Sequence, residues 1–100
     1  MSEKEGSHYD LPIALGLLVA MGVLPGDEIA GYTALGELAL DGSLTAVAGV
    51  LPAAIGAVSH SRGLICPAAC GSEAAWAGDL EVLAPPTLLA LINRYYPGTL

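Results

Sequence analysis

Residues 33–50, TALGELALDGSLTAVAGV, decide the fold. Two apolar runs, 33–40 and 43–50, flank the pair Asp41-Gly42. An Asp-Gly pair supplies the positive φ values of a two-residue hairpin turn, so the stretch reads as two strands joined tightly. Downstream, Pro52 opens a helix over AAIGAVSHSR that ends near Arg62-Gly63. GLIC, residues 63–66, reads as a short buried strand. CPAACGSEAAWAG, residues 66–78, reads as a loop with one helical turn after Ser72, and DLEVLA, residues 79–84, as a strand. After Pro85-Pro86, Thr87 caps a last helix, LLALINRYY, which Pro97-Gly98 ends. Upstream, Asp10 caps a helix with Pro12 in its first turn, running to about Val23 and stopped by Pro25-Gly26. Its apolar residues lie on every side, which predicts an enclosed helix. Gly16 and Gly22 weaken it by up to about 1 kcal/mol each, a loss that close packing against them would offset.

The order is helix, hairpin, helix, strand, strand, helix. It predicts an α/β chain of the α+β kind, a mixed sheet covered by about three helices. Residues 1–9 read as a flexible lead-in that an expression start could supply, and residues 10–97 as a partial domain with no strand leading into its first helix.

Composition narrows the function. The chain has 100 residues, 54% hydrophobic and 13% charged, so burial is plentiful and apolar surface is left over for more protein. Ten acids against Lys4, Arg62 and Arg94 give a formal charge of −7. Three scattered cations make no basic stripe for nucleic acid and no attraction to anionic lipid. The apolar run over residues 11–24 is shorter than the roughly 20 residues that a spanning helix needs. A polar, acidic start is wrong for a secretory signal, and two cysteines then point to reduced thiols in a cytoplasm.

Few residues offer chemistry. Ser7 and His8, in KEGSHYDLP, pair a nucleophile with a base, yet sequence neighbours seldom aim both side chains at one atom. The plainer reading has Ser7, His8 and Asp10 leading into and capping the helix. Cys66 and Cys70 are weak metal candidates, because zinc sites pair closer cysteines with a second pair of ligands. Cys66 ends an apolar strand, where a thiol serves as a small hydrophobe. Trp76, Tyr95 and Tyr96 read either as a partner-binding aromatic face or as core edge and C-terminal packing. No Gly-rich loop ending in Gly-Lys-Ser/Thr is present, so the chain is not expected to bind or hydrolyse ATP.

Three blocks, KEGSHYDLPIALGLL, GELALDGSLTAVAGVLPAAIGA and RGLICPAACGSEAAWAGDLEVLAPPTLLALIN, resemble in order the N-terminal region of the magnesium-chelatase-like AAA+ ATPases of the ComM/YifB type. The match covers residues 4–94. It implies a truncated Lon-protease-like, ribosomal-protein-type βαβ fold, preceded by further strands and followed by an ATPase module that binds ATP and Mg2+. It further implies a hexameric parent acting on DNA, by branch migration in recombination or natural transformation. Partners implied for this segment are the remainder of the chain and other copies, with a dimer through an uncovered sheet edge, and no membrane.

Lon-type proteolysis needs a serine and a near-neutral lysine. Aligned on that pattern, Lys4-Glu5-Gly6 match the approach to the nucleophile, Ser7 falls on a proline and His8 on the serine. Ala48-Gly49-Val50 match the glycine stretch, and Leu51 replaces the expected lysine. Leucine takes no proton, so the resemblance implies a non-catalytic segment. Glu37 corresponds to a signature glutamate of this fold, also present in RadA, and is expected to be structural. Two alternatives stay open: a divergent serine peptidase remnant using Ser7 or His8, and a magnesium chelatase component.

Overall fold

The computed structural model describes residues 8–98. Five helices and six short strands follow one another: β1 (His8–Asp10), α1 (Leu11–Ala20), α2 (Gly26–Ile29), β2 (Tyr32–Ala34), β3 (Glu37–Ala39), β4 (Leu44–Thr45), α3 (Val50–Ser59), β5 (Gly63–Ile65), α4 (Gly71–Ala74), β6 (Val82–Leu83) and α5 (Leu88–Tyr95). The expected mixture of helix and strand is present, with α1, α3 and α5 as the three long helices. The strands divide into two sheets. One is antiparallel in the order β1-β3-β4, and the other is parallel in the order β2-β5-β6.

The division occurs inside the stretch that was expected to be one strand. Residues 33–40 are cut at Gly36, whose φ of 145° few other residues adopt. Upstream, β2 pairs with β5; downstream, β3 turns into the other sheet. A Cβ on Gly36 would lie 2.9 Å from the Pro67 ring and 3.3 Å from Leu11, so the switch point is also a close approach. The hairpin that follows has three loop residues, not two. Ala39 pairs across it with Ser43 (N–H to carbonyl, 2.9 Å), and Gly42 donates to the Ala39 carbonyl at 2.9 Å. Gly42 sits at φ 91°, as such a loop requires. The Asp41 carboxylate accepts from Ser43 N–H at 2.9 Å and from Ser43 Oγ at 2.7 Å. Those bonds hold its carboxyl below the usual carboxylate range.

The parallel sheet carries the core on both faces. Along β5, Leu64 and Cys66 face one cluster with Val50, Ala54, Cys70 and Ala74. Ile65 faces the other, with Leu11, Leu15, Leu24, Leu44, Leu83 and Leu91. Helices α3 and α4 therefore cover one side, and α1 and α5 the other. A strand enclosed on both faces reads as a continuous apolar run, which is what GLIC is.

Helix α1 begins as expected, with Asp10 Oδ1 accepting from Ile13 N–H at 3.1 Å. It ends earlier, at Ala20. Gly22 adopts φ 80°, Val23 N–H donates to the Leu18 carbonyl at 2.8 Å, and Gly22 N–H donates to Val19 at 3.1 Å. That pair of bonds is a Schellman closure, so Gly22 rather than Pro25-Gly26 stops the helix. The helix is also not enclosed. Leu11 and Leu15 are buried, but Ile13, Leu17 and Met21 are 73%, 60% and 63% exposed. Among the described residues, no other element packs on Gly16 or Gly22: a Cβ on either would meet nothing within 4 Å.

Elsewhere boundaries move by a few residues. Helix α3 starts at Val50, two residues before Pro52. Residues 66–78 hold more helix than one turn, with 3-10 turns at Ala68–Cys70 and Ala75–Ala77 flanking α4. Strand β6 keeps only Val82–Leu83 of the expected 79–84. Thr87 caps α5 as expected, its Oγ1 accepting from Ala90 N–H at 3.0 Å.

Candidate functional site

Among the described residues, the candidates do not converge. Ser7 and Lys4 lie outside the described residues. His8 opens β1, in register with Ala39 of β3, so the backbone there is strand and not a loose lead-in. Leu51 is half-buried in the first turn of α3. Glu37 begins β3 opposite Asp10 of β1 and Thr45 of β4, and its carbonyl accepts from Thr45 Oγ1 at 3.4 Å.

Cys66 and Cys70 are both buried free thiols in the cluster beneath α3. Desolvation, with Cys70 nearby, pushes the Cys66 thiol up to about 11. A thiol held neutral in this way is a poor nucleophile and a poor metal ligand. Among the described residues, no group of three or more His, Cys, Asp and Glu side chains is placed to hold a metal ion.

The aromatic residues separate. Tyr95 packs on the first core cluster, whereas Trp76 is 83% exposed on its 3-10 turn, so it is not core edge. Tyr96 is partly exposed at the end of α5. The polar network near them lies at the start of the parallel sheet. Tyr32 donates to Glu81 at 2.6 Å, and Arg94 lies 3.9 Å from the same carboxylate. Burial, followed by the Glu81 carboxylate, raises the Tyr32 phenol well above its ordinary value.

Among the depressions on the described surface, one lies beside α3 and another beside α1. The first, of about 490 Å³, lies between β2 and α3 and is lined by Thr33, Ala53, Gly56, Ala57, His60 and Arg62. Two of its polar side chains, His60 and Arg62, bond to backbone carbonyls. Arg62 donates to the Ala30 and Tyr32 carbonyls at 2.9 and 3.3 Å. His60 Nδ1 lies 2.9 Å from the Gly56 carbonyl, which can only accept, so the proton sits on Nδ1. Ser59 Oγ also donates to Gly56, at 2.8 Å. A ring nitrogen that carries the proton cannot take one from the neighbouring serine, so Ser59 and His60 are no nucleophile and base. Sequence reading missed this cleft because Thr33 and His60 meet only through the packing of β2 beside α3.

The other depression, about 380 Å³, is apolar and lined by Tyr9, Asp10, Ile13, Ala14, Leu17 and Leu38. It lies where α1 meets β1 and β3. Among the described residues, no helix is long and apolar enough to cross a membrane.

The chain is similar in sequence to known proteins. The family model described as "Subunit ChlI of Mg-chelatase" matches residues 2–70. Competence protein ComM of Haemophilus influenzae is 37% identical over 90 residues, 90% of this chain and 18% of the relative. YifB of Escherichia coli is 44% identical over 62 residues, 62% of this chain and 12% of the relative. A Mycobacterium tuberculosis protein is 35% identical over 86 residues, 85% of this chain and 17% of the relative. The chain thus spans less than a fifth of the length of these relatives. It belongs to the magnesium-chelatase-like family that includes ComM and YifB.

Proposed function

We propose that this chain is a non-catalytic accessory module, with a Lon-protease-like fold, of a longer cytoplasmic AAA+ ATPase. ATP and Mg2+ would be held by the remainder of that protein, a hexamer that drives branch migration of DNA in recombination or natural transformation. The observation that carries the non-catalytic part is Leu51. It is half-buried in the first turn of α3, where the resemblance to Lon-type peptidases calls for a lysine. An alkyl side chain there takes no proton, and the buried, neutral Cys66 supplies no substitute nucleophile. The DNA part is supported by the competence name of the Haemophilus relative.

The test uses a relative-length protein with and without this segment. The expected result is that deletion keeps ATP hydrolysis by the remaining motor but abolishes ATP-driven migration of a branched DNA. Unchanged branch migration would sink the accessory role. Peptide cleavage by the complete protein, lost on joint Ser7→Ala and His8→Ala substitution, would establish the peptidase remnant instead. The family description favours one second reading, a magnesium chelatase component. Co-purification with the other chelatase subunits, and metal insertion into porphyrin, would select it.

A further inference from the structure

We propose that Asp41-Gly42 is a site of spontaneous isoaspartate formation that the folded hairpin holds closed, with Ser43 as its guard. The inference stands apart from the ATPase reading. The pair that turns the chain between β3 and β4 is also a pair open to rearrangement. The Gly42 backbone nitrogen attacks Cγ of the Asp41 side chain in its neutral form. The N–H proton and the carboxyl OH leave as one water, and a five-membered succinimide ring forms. Water then returns to the ring. Opening at the side-chain carbonyl restores Asp41. Opening at the main-chain carbonyl leaves the chain running through the side chain, at unchanged mass. Glycine in second place favours the attack because it brings no Cβ to crowd the nitrogen. Asp41 is exposed, so water reaches the ring.

Three hydrogen bonds oppose the attack in the folded chain. Asp41 Oδ1 accepts from Ser43 N–H at 2.9 Å and from Ser43 Oγ at 2.7 Å, which fixes the carboxyl group toward Ser43. The same bonds favour the ionised carboxylate, which has no hydroxyl to lose as water. Gly42 N–H donates to the Ala39 carbonyl at 2.9 Å, which keeps the attacking nitrogen engaged within the turn. The tip is also held from outside. The Gly42 carbonyl accepts from Leu88 N–H at 2.8 Å, Leu44 N–H donates to the Pro86 carbonyl at 2.9 Å, and Ser43 bridges to Thr87. Isoaspartate adds one backbone atom between Asp41 and Gly42, in a loop too short to absorb it. The Gly42 carbonyl is then displaced from Leu88 N–H, at the first turn of α5. A modified chain is therefore a loosened one.

The test ages the 100-residue chain at neutral pH and body temperature, both folded and in urea. Peptide mapping with electron-transfer fragmentation measures isoaspartate at residue 41. The expected rate is about tenfold or more lower in the folded chain than in urea. Ser43→Ala, checked for an unchanged circular dichroism spectrum, should raise the folded rate about tenfold and leave the rate in urea as it was. Ser43→Thr keeps the hydroxyl and should keep the slow rate. Ala54→Gly, in the cluster beneath α3, lowers stability without touching the hairpin and should leave the folded rate unchanged. The modified chain, once separated, should melt below the unmodified one. No isoaspartate at residue 41 in urea overturns the proposal, as do equal rates in the folded and unfolded chains. So does a Ser43→Ala rate no higher than that of the unsubstituted chain, or one that Ser43→Thr or Ala54→Gly matches.

Discussion

Replacing Gly36 with alanine should cost this fold about 2–6 kcal/mol, the sum of a backbone and a packing contribution. The backbone contribution comes from φ 145°, where a side chain other than glycine's imposes strain of about 1–3 kcal/mol. The packing contribution comes from the new methyl group, 2.9 Å from Cγ and Cδ of Pro67 and 3.3 Å from Cδ2 of Leu11. Both neighbours are fully buried, and a proline ring has no rotamer through which to withdraw. Overpacking of this kind costs about 1–3 kcal/mol. Domains of this size hold about 5–15 kcal/mol in total, so the loss is a large share. Urea unfolding followed by far-ultraviolet circular dichroism is the assay, because Trp76, already 83% exposed, is a poor fluorescence reporter. The reasoning fails if the midpoint shift multiplied by an unchanged m value is less than about 1 kcal/mol. Gly16→Ala is the control from the same chain: its Cβ meets nothing within 4 Å, and it should gain about 0.5–1 kcal/mol.

Three further outcomes follow from single contacts. Thr87→Ala removes the acceptor of Ala90 N–H and should lower stability by about 1 kcal/mol, read by the same unfolding curve. Trp76→Ala should leave stability within about 0.5 kcal/mol, and a larger loss would mean that Trp76 is packed after all. Cys66 should resist a thiol reagent near neutral pH until the chain unfolds. Its folded pKa of about 11 lies above the reference value of 9.0, so the unfolded chain releases the proton first. The contribution is fully present below 9 and is lost as pH rises toward 11; a stability flat across that window, compared with Cys66→Ala, would refute it.

How much was legible depended on the range of the interaction that decided each feature. Caps are local, so Asp10 and Thr87 could be recognised as helix starts from the residues beside them. The buried strand GLIC was legible because a strand covered on both faces needs an unbroken apolar run. The end of α1 was also written locally, in Gly22-Val23, but the Pro25-Gly26 signal three residues on drew the boundary past it. Among the site candidates, the leucine at 51 is a plain sequence fact. Its half-buried place in the first turn of α3 is not.

The sequence by itself determined the place of the hairpin turn, the caps at Asp10 and Thr87, the buried strand GLIC, the acidic charge and the family resemblance, since each rests on residue type or short spacing. The tertiary structure decided three other things. It split residues 33–40 between two sheets, because Gly36 can take a φ closed to other residues and can lie against Pro67. It brought Thr33, His60 and Arg62 to one cleft and bonded the last two to backbone carbonyls. It also chose which face of an all-apolar helix is buried. With no polar side chain to orient it, α1 carries no mark of inside and outside, and only the cores beneath Leu11 and Leu15 turn Ile13, Leu17 and Met21 toward solvent.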